Sequence, residues 1–209
     1  MAGKHVIESG FGDWIRPVSV REMEEISDQE RFYEDGSDPV LLDIIEIRFI
    51  EPRPTDFQSE NHLIDAGSTW RKVGHVGWKE AEAALDSATG SLWINGYARS
   101  HGPNDRVPEA LAKGLGSSLF LIRPTNLNIA VAVEGARFGN PRRRHRARFE
   151  FDNAPYRLSV TDPYIADHYP QDGDYPIPGA ILCVSLALYD DGFAYKLVAG
   201  VLTPERVRA

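Results

Sequence analysis

One cysteine stands in the whole chain, Cys183, inside the apolar run Ile181-Leu182-Cys183-Val184. A single thiol excludes disulfide bonding within the chain and excludes a cysteine-based metal cluster, and it fits a reducing, cytoplasmic setting. Long apolar runs are missing too. None approaches the roughly 18 residues that a membrane-crossing helix requires, and the opening Met1-Ala2-Gly3-Lys4-His5 lacks the apolar segment of a secretory leader, so no membrane partner is expected. The usual nucleotide and nucleophile signatures are absent: there is no Gly-Lys-Ser/Thr phosphate loop and no dinucleotide fingerprint. The nearest approach to a nucleophile elbow is Gly114-Leu115-Gly116-Ser117-Ser118, which follows a helical segment where the elbow follows a strand. Histidines at 5, 62, 75, 101, 145 and 168 show no i,i+4 pair and no His-x-Glu spacing, so neither a metal nor a cofactor is expected.

What is present is an uneven distribution of charge. The 209 residues carry a net charge of −8, yet Glu22 to Glu60 alone holds thirteen Asp or Glu against three Arg and no Lys. The remainder therefore sums to +2. A basic ridge follows Pro141. Any polyanion would have to be met by a local patch, because the overall field repels it.

Periodicity points to β structure. Leu41 to Ile50 alternates, with Ile45, Ile47 and Phe49 on one side and Glu46 and Arg48 on the other, and predicts one strand ended by Glu51-Pro52-Arg53-Pro54. Ser19-Val20-Arg21-Glu22 has the form of a capping box and predicts a short helix from Val20. Trp78 to Asp86 has helical spacing. Pro103 to Gly116, rich in Gly, Pro and charge, is the best boundary, with a short helix between Pro108 and Gly114. Beyond it come strands at Ser118 to Arg123 and Leu127 to Val133, then a hairpin from Arg144 to Thr161 turning through Asp152-Asn153-Ala154-Pro155. A cap at Asp162-Pro163 predicts a short helix to about Tyr169, and Ala180 to Leu188 pairs with Phe193 to Leu202. Six or seven short strands without a βαβ rhythm predict small barrels or a sandwich.

The candidate binding residues begin with Arg142, Arg143, Arg144, Arg146 and Arg148. From Arg144 the strand places Arg144, Arg146, Arg148 and Glu150 on one side and His145, Ala147, Phe149 and Phe151 on the other. Guanidinium groups about 7 Å apart over solvent would match successive phosphates of a nucleic-acid strand. The competing reading is a solvated face, or arginines paired with neighbouring carboxylates. Tyr156, Tyr164, Tyr169, Tyr175, Tyr189 and Tyr195 supply aromatic rings for a stacking platform nearby.

A second candidate is Gln58-Ser59-Glu60-Asn61-His62, where Gln58, Asn61 and His62 could read a polar ligand or simply cap a turn. Glu60 and His62 form the acid–base pair of the alternative, enzymatic reading. Trp14 beside Arg16 could stack on a base or pack into a core.

Three segments carry a family resemblance: Trp14-Ile-Arg-Pro-Val-Ser19, Arg31 through Glu46, and Gln58-Ser-Glu-Asn-His-Leu-Ile-Asp65. With Phe149 through Pro163, Leu182-Cys-Val-Ser-Leu186 and Tyr195-Lys-Leu-Val-Ala199, the chain from Trp14 to Val201 resembles the bacterial dual OB domain proteins. The resemblance implies two tandem OB-type barrels and a nucleic-acid or nucleotide ligand, with no catalytic residues to carry over. Family members begin with a strand ahead of an Ala-Gly-Lys-like segment, whereas Ala2-Gly3-Lys4 opens this chain. A barrel without that strand would expose an edge to a second copy, so a homo-oligomer is also a candidate state.

The reading is thus a mainly β protein of two small OB-like barrels with a few short helices. The barrels fall at residues 1–105 and 117–209, joined by 106–116. They would bind single-stranded nucleic acid or a nucleotide without covalent chemistry. The alternatives are an enzyme acting on such a ligand and a protein-interaction module.

Overall fold

The computed structural model describes residues 1–87, 90–99 and 102–208, so His101 lies outside the described residues. The chain divides into two compact units, Met1–Ala84 with the last residues from Val207, and Leu85–Arg206. This division falls earlier than the expected boundary at 106–116. That segment is no linker: it contributes a strand to the second unit's sheet.

The first unit contains β1 (Gly3–Ile7), β2 (Gly10–Val18), α1 (Asp28–Arg31), β3 (Asp43–Glu46), β4 (Phe49–Pro52), β5 (Asn61–Ile64), β6 (Arg71–His75) and α2 (Trp78–Ala83). One sheet has the order β1-β2-β5-β4, and β3 pairs with β6 apart from it. Ala2-Gly3-Lys4 thus runs into the end strand of that sheet, where Lys4 lies opposite Trp14. The single strand expected at Leu41 to Ile50 is two strands with different partners. Leu42 holds a left-handed φ of 68°, which delays the start of β3, and the chain leaves β6 after Glu46 to pair with β5. Its apolar face nevertheless survives the break, because Ile45, Ile47 and Phe49 all pack on the core of Tyr33, Ile64 and Trp70.

The helix expected from Val20 does not form. A single 3-10 turn covers Glu22–Glu24, and Met23 inside it has a φ of 62°. The functioning capping box is Ser27-x-x-Glu30, in which Glu30 Oε2 accepts from the Ser27 backbone N–H and hydroxyl at 2.8 Å each. Glu30 Oε1 also accepts from the Ser19 hydroxyl at 2.7 Å, so the serine expected to cap one helix braces the start of the next.

The second unit contains β7 (Arg106–Pro108), α3 (Glu109–Ala112), β8 (Leu119–Ile122), β9 (Thr125–Glu134), β10 (Arg142–Phe151), β11 (Ala154–Val160), α4 (Pro163–His168), β12 (Gly173–Pro176), β13 (Ile181–Tyr189) and β14 (Phe193–Leu202). α5 (Pro204–Arg208) follows. The hydrogen-bonded path is β12-β9-β10-β11-β14-β13-β8, with β7 added on β14. The arginine hairpin forms, but on a turn of two residues where four, Asp152 to Pro155, were expected, since Ala154 and Pro155 already pair with β10. Phe151 faces Ala154 across the two-residue turn Asp152-Asn153, whose φ values of 50° and 60° are the left-handed pair that a type I′ turn needs. One face of the sheet buries Ala147, Phe149, Tyr156, Leu158, Val184 and Val198 in a single apolar cluster. Asp162 caps α4 through Tyr164 N–H at 3.1 Å, as its position before Pro163 predicts. No helix among the described residues is long and apolar enough to cross a membrane.

Candidate functional site

The hairpin decides where the arginines go. β10 lies between β9 and β11, and its alternation sends Ala147 and Phe149 into the core and Arg144, Arg146 and Arg148 to the opposite face. On that face an open groove of about 860 Å³ is lined by six arginines, among them Arg142, Arg144 and Arg146 of β10, against two acidic residues, Asp105 and Glu134.

These arginines are not equivalent. Arg146 is only 8% exposed, so the row does not lie wholly over solvent as the alternation alone predicts. Its guanidinium grips Glu134 in a fork, Nε to Oε1 at 3.2 Å and Nη2 to Oε2 at 2.6 Å, and also donates to the Ser159 hydroxyl. Arg157 of β11 reaches the same carboxylate at 3.6 Å. Two cations thus share one anion at the groove floor.

Arg143 and Arg148 are taken up elsewhere. Arg143 pairs with Asp172 at 3.0 Å and Arg148 with Asp174 at 3.2 Å, both at the surface beside β12, and neither lines the groove. Arg142 reaches only the Asn140 side-chain oxygen, at 3.2 Å. The Arg144 side chain has no bonded partner among the described residues, and the guanidinium of Arg137 lies over its neighbour Phe138 at 4.8 Å. Arg137, Arg142 and Arg144 are therefore exposed cations without a carboxylate.

The rims are built from loops. Gly135 to Asn140 closes β9 onto β10 as a tight turn, with Phe138 N–H donating to Gly135 O at 3.0 Å and Asn140 N–H to the same oxygen at 3.2 Å. Gly135 has a φ of +81°, and a Cβ there would lie 2.5 Å from the Asn140 carbonyl oxygen, so only glycine fits. The turn presents Phe138, 76% exposed, to the groove. Elsewhere in the lining Tyr189 and Tyr195 meet edge to face at 5.0 Å, and Arg99 lies 5.7 Å over the Tyr195 ring. Burial and the bond to Asp191 keep the Tyr195 phenol protonated above its ordinary range.

Within β14, Lys196 also borders the groove and is 1% exposed. Its amine donates to Ile94 O and Asn95 Oδ1 at 2.9 Å each and sits 5.3 Å from the Tyr156 ring, while Tyr156 OH bonds Leu92 N–H and Asn95. Burial pushes this amine down to about 7. The network fixes the 92–95 segment on the sheet. Of the tyrosines expected as a platform, Tyr156 is therefore core, and Tyr164, Tyr169 and Tyr175 run as a separate ring series with His168.

The polar cluster of the first unit is bound up in its own turn. Thr55 and Gln58 exchange backbone hydrogen bonds, and the fully buried Asn61 donates its amide to Gln58 Oε1 at 3.1 Å. Glu60, 5% exposed, pairs with Arg16 at 3.1 Å across the parallel β2–β5 pair. His62 Nδ1 lies 2.9 Å from the Glu60 carbonyl, and its ring packs on Phe49 at 5.4 Å. Trp14 is half-buried with Lys4 Nζ 5.5 Å from its ring. The turn-capping use of these residues is the one the geometry displays.

Sequence reading missed Arg137, Phe138 and Arg157, and with them the role of Glu134. The signal for the first two was Gly135-Ala-Arg-Phe-Gly139, a glycine-bounded turn directly ahead of the arginine run. Arg157 and Glu134 reach the site only through strand pairing, which no local pattern displays.

A mainly β chain with a cationic, aromatic-rimmed groove on a strand face has the character of an OB-fold binding module. Residues 1–201 match the dual OB-containing domain, and the chain belongs to that family. No curated protein and no solved structure matches the chain.

Proposed function

We propose that the second unit binds a nucleic-acid strand or a nucleotide in this groove, without covalent chemistry on it. One observation carries the reading: six arginines line a groove with two acidic residues, and three of those arginines have no carboxylate partner among the described residues. Guanidinium groups left without carboxylates match phosphate oxygens in geometry and charge. Because the chain as a whole is anionic, the attraction acts at close range and weakens with salt. The Glu60 carboxylate is held by Arg16, which leaves the enzymatic alternative without a free acid–base pair to support it. A cytoplasmic location belongs to the same reading, supported by a thiol inventory of one.

Fluorescence anisotropy with a labelled single-stranded oligonucleotide tests it. Binding should weaken steeply between about 50 mM and about 200 mM salt and fall by about a hundredfold in the double variant Arg142→Glu, Arg144→Glu. If the wild type binds neither single strands, duplexes nor nucleoside triphosphates at low salt, the proposal is wrong.

A further inference from the structure

We infer that Phe138 stacks on an unpaired base of the bound strand, which makes the groove selective for single strands and for ligands that carry bases. The inference rests on the binding reading above and deepens it. A phenyl ring 76% exposed is unsupported by any core, and the turn that carries it is closed by three backbone hydrogen bonds between Gly135 and Asn140. Its backbone is fixed further by left-handed Gly135 and Gly139, the first of which admits no side chain. An apolar ring is thus displayed on a rigid mount, which lowers the entropy lost when a ligand covers it. Single exposed aromatics are ordinary on protein surfaces. This one lines the same groove as Arg142 and Arg144, and the preceding residue, Arg137, lays its guanidinium over the ring from 4.8 Å. Cation and ring together form the surface on which a base can lie while its flanking phosphates meet Arg142 and Arg144. In a duplex the base faces are already covered by their neighbours, so the ring gains nothing there.

The test uses the full chain and three labelled probes: an oligothymidylate of about ten nucleotides, within the span that OB-type sites cover, an abasic strand with the same phosphates, and a duplex. Wild type should prefer the oligothymidylate to the other two by about tenfold, the value of one stacked base. Phe138→Ala should bring the oligothymidylate down to the level of the abasic strand while leaving abasic binding and the salt slope unchanged. Phe138→Trp should restore the preference. Since the side chain is exposed, circular dichroism of both variants should match wild type. Equal wild-type affinity for all three probes, or a Phe138→Ala loss shared by the abasic strand, would overturn the stacking role and leave the arginine groove standing. Failure of wild type to bind any probe removes both.

Discussion

The two units divide the charge of the chain unequally. Eighteen Asp or Glu face ten Lys or Arg in the first, against thirteen and thirteen in the second, so the first holds the whole net charge of −8 and the second is neutral. Net charge does not locate the cationic surface. In the first unit many of the acids have donors close by: Asp38 is bonded by Arg31, Glu46 by Arg71, Glu60 by Arg16, and Asp43 by Tyr33, Lys72 and His75. In the second, neutrality hides a segregation in which arginines outnumber acids on one strand face. Ion pairs that satisfy their own partners support a fold, while cations left over within a neutral unit are available to a ligand.

Four measurements would break or sharpen this contrast. The largest effect should come from Lys196. Its folded value of about 7 lies below the ordinary lysine value near 10.5, so between these values the unfolded chain binds more protons. Stability of the second unit should therefore rise with pH across that window, by up to about 1.4 kcal/mol per pH unit and on the order of 4 kcal/mol in all. Hydrogen exchange of β14 amides against pH, corrected for intrinsic rates, would show it. Lys196→Met should flatten the profile, and an unchanged profile would remove the buried amine from the account.

Next comes Arg146→Ala, which should cost the second unit about 3 kcal/mol in urea unfolding, because it takes the two-point guanidinium fork away from the Glu134 carboxylate. A stability loss below about 0.5 kcal/mol would mean that Arg146 is as available to a ligand as Arg144.

In the first unit, burial alone would raise the Asp43 carboxyl, but bonds from Lys72, His75, the Val40 N–H and Tyr33 hold it down to about 2. The same burial and the bond to Asp43 push the Tyr33 phenol up. A carboxyl depressed in the folded state stabilises above its unfolded value and loses that contribution as pH falls from 3.8 towards 2. Asp43→Asn should therefore cost about 2 kcal/mol at neutral pH and much less at pH near 2, measured by thermal unfolding across that range.

The smallest effect on stability belongs to Arg144→Ala, which should change it by less than about 0.5 kcal/mol while weakening oligonucleotide binding by about tenfold. If the same substitution destabilises the unit, Arg144 belongs with Arg146 as part of the scaffold.

How much of this could be read along the chain depended on whether a signal was local. The alternation through Arg144 to Phe151 and the Asp-Asn turn gave the hairpin and its two faces, because period and turn chemistry are written within a few residues. β7 and β12, three and four residues long and each ending in proline, carry no such period and exist because β14 and β9 offer them an edge. The break after Glu46 was hidden for a related reason: an uninterrupted apolar face does not reveal that its two halves pair with different strands. At the site, sequence pointed to the arginines but could not sort them. Whether Arg148 meets Asp174 or Arg146 meets Glu134 is decided by which strand becomes the neighbour, and only the sheet order supplies that.

The two-residue turn at Asp152-Asn153 acts as a parity switch for the whole surface. It sets Ala147 opposite Leu158, and Arg146 opposite Ser159, so that apolar meets apolar and the buried guanidinium meets a hydroxyl. A register displaced by one residue would set Leu158 against a guanidinium and turn Tyr156 away from the core, exchanging inside for outside along that strand. An inserted residue between Asp152 and Asn153 is therefore a more drastic change than the loss of any one arginine, since it alters the arithmetic by which a linear run of charges becomes one charged face.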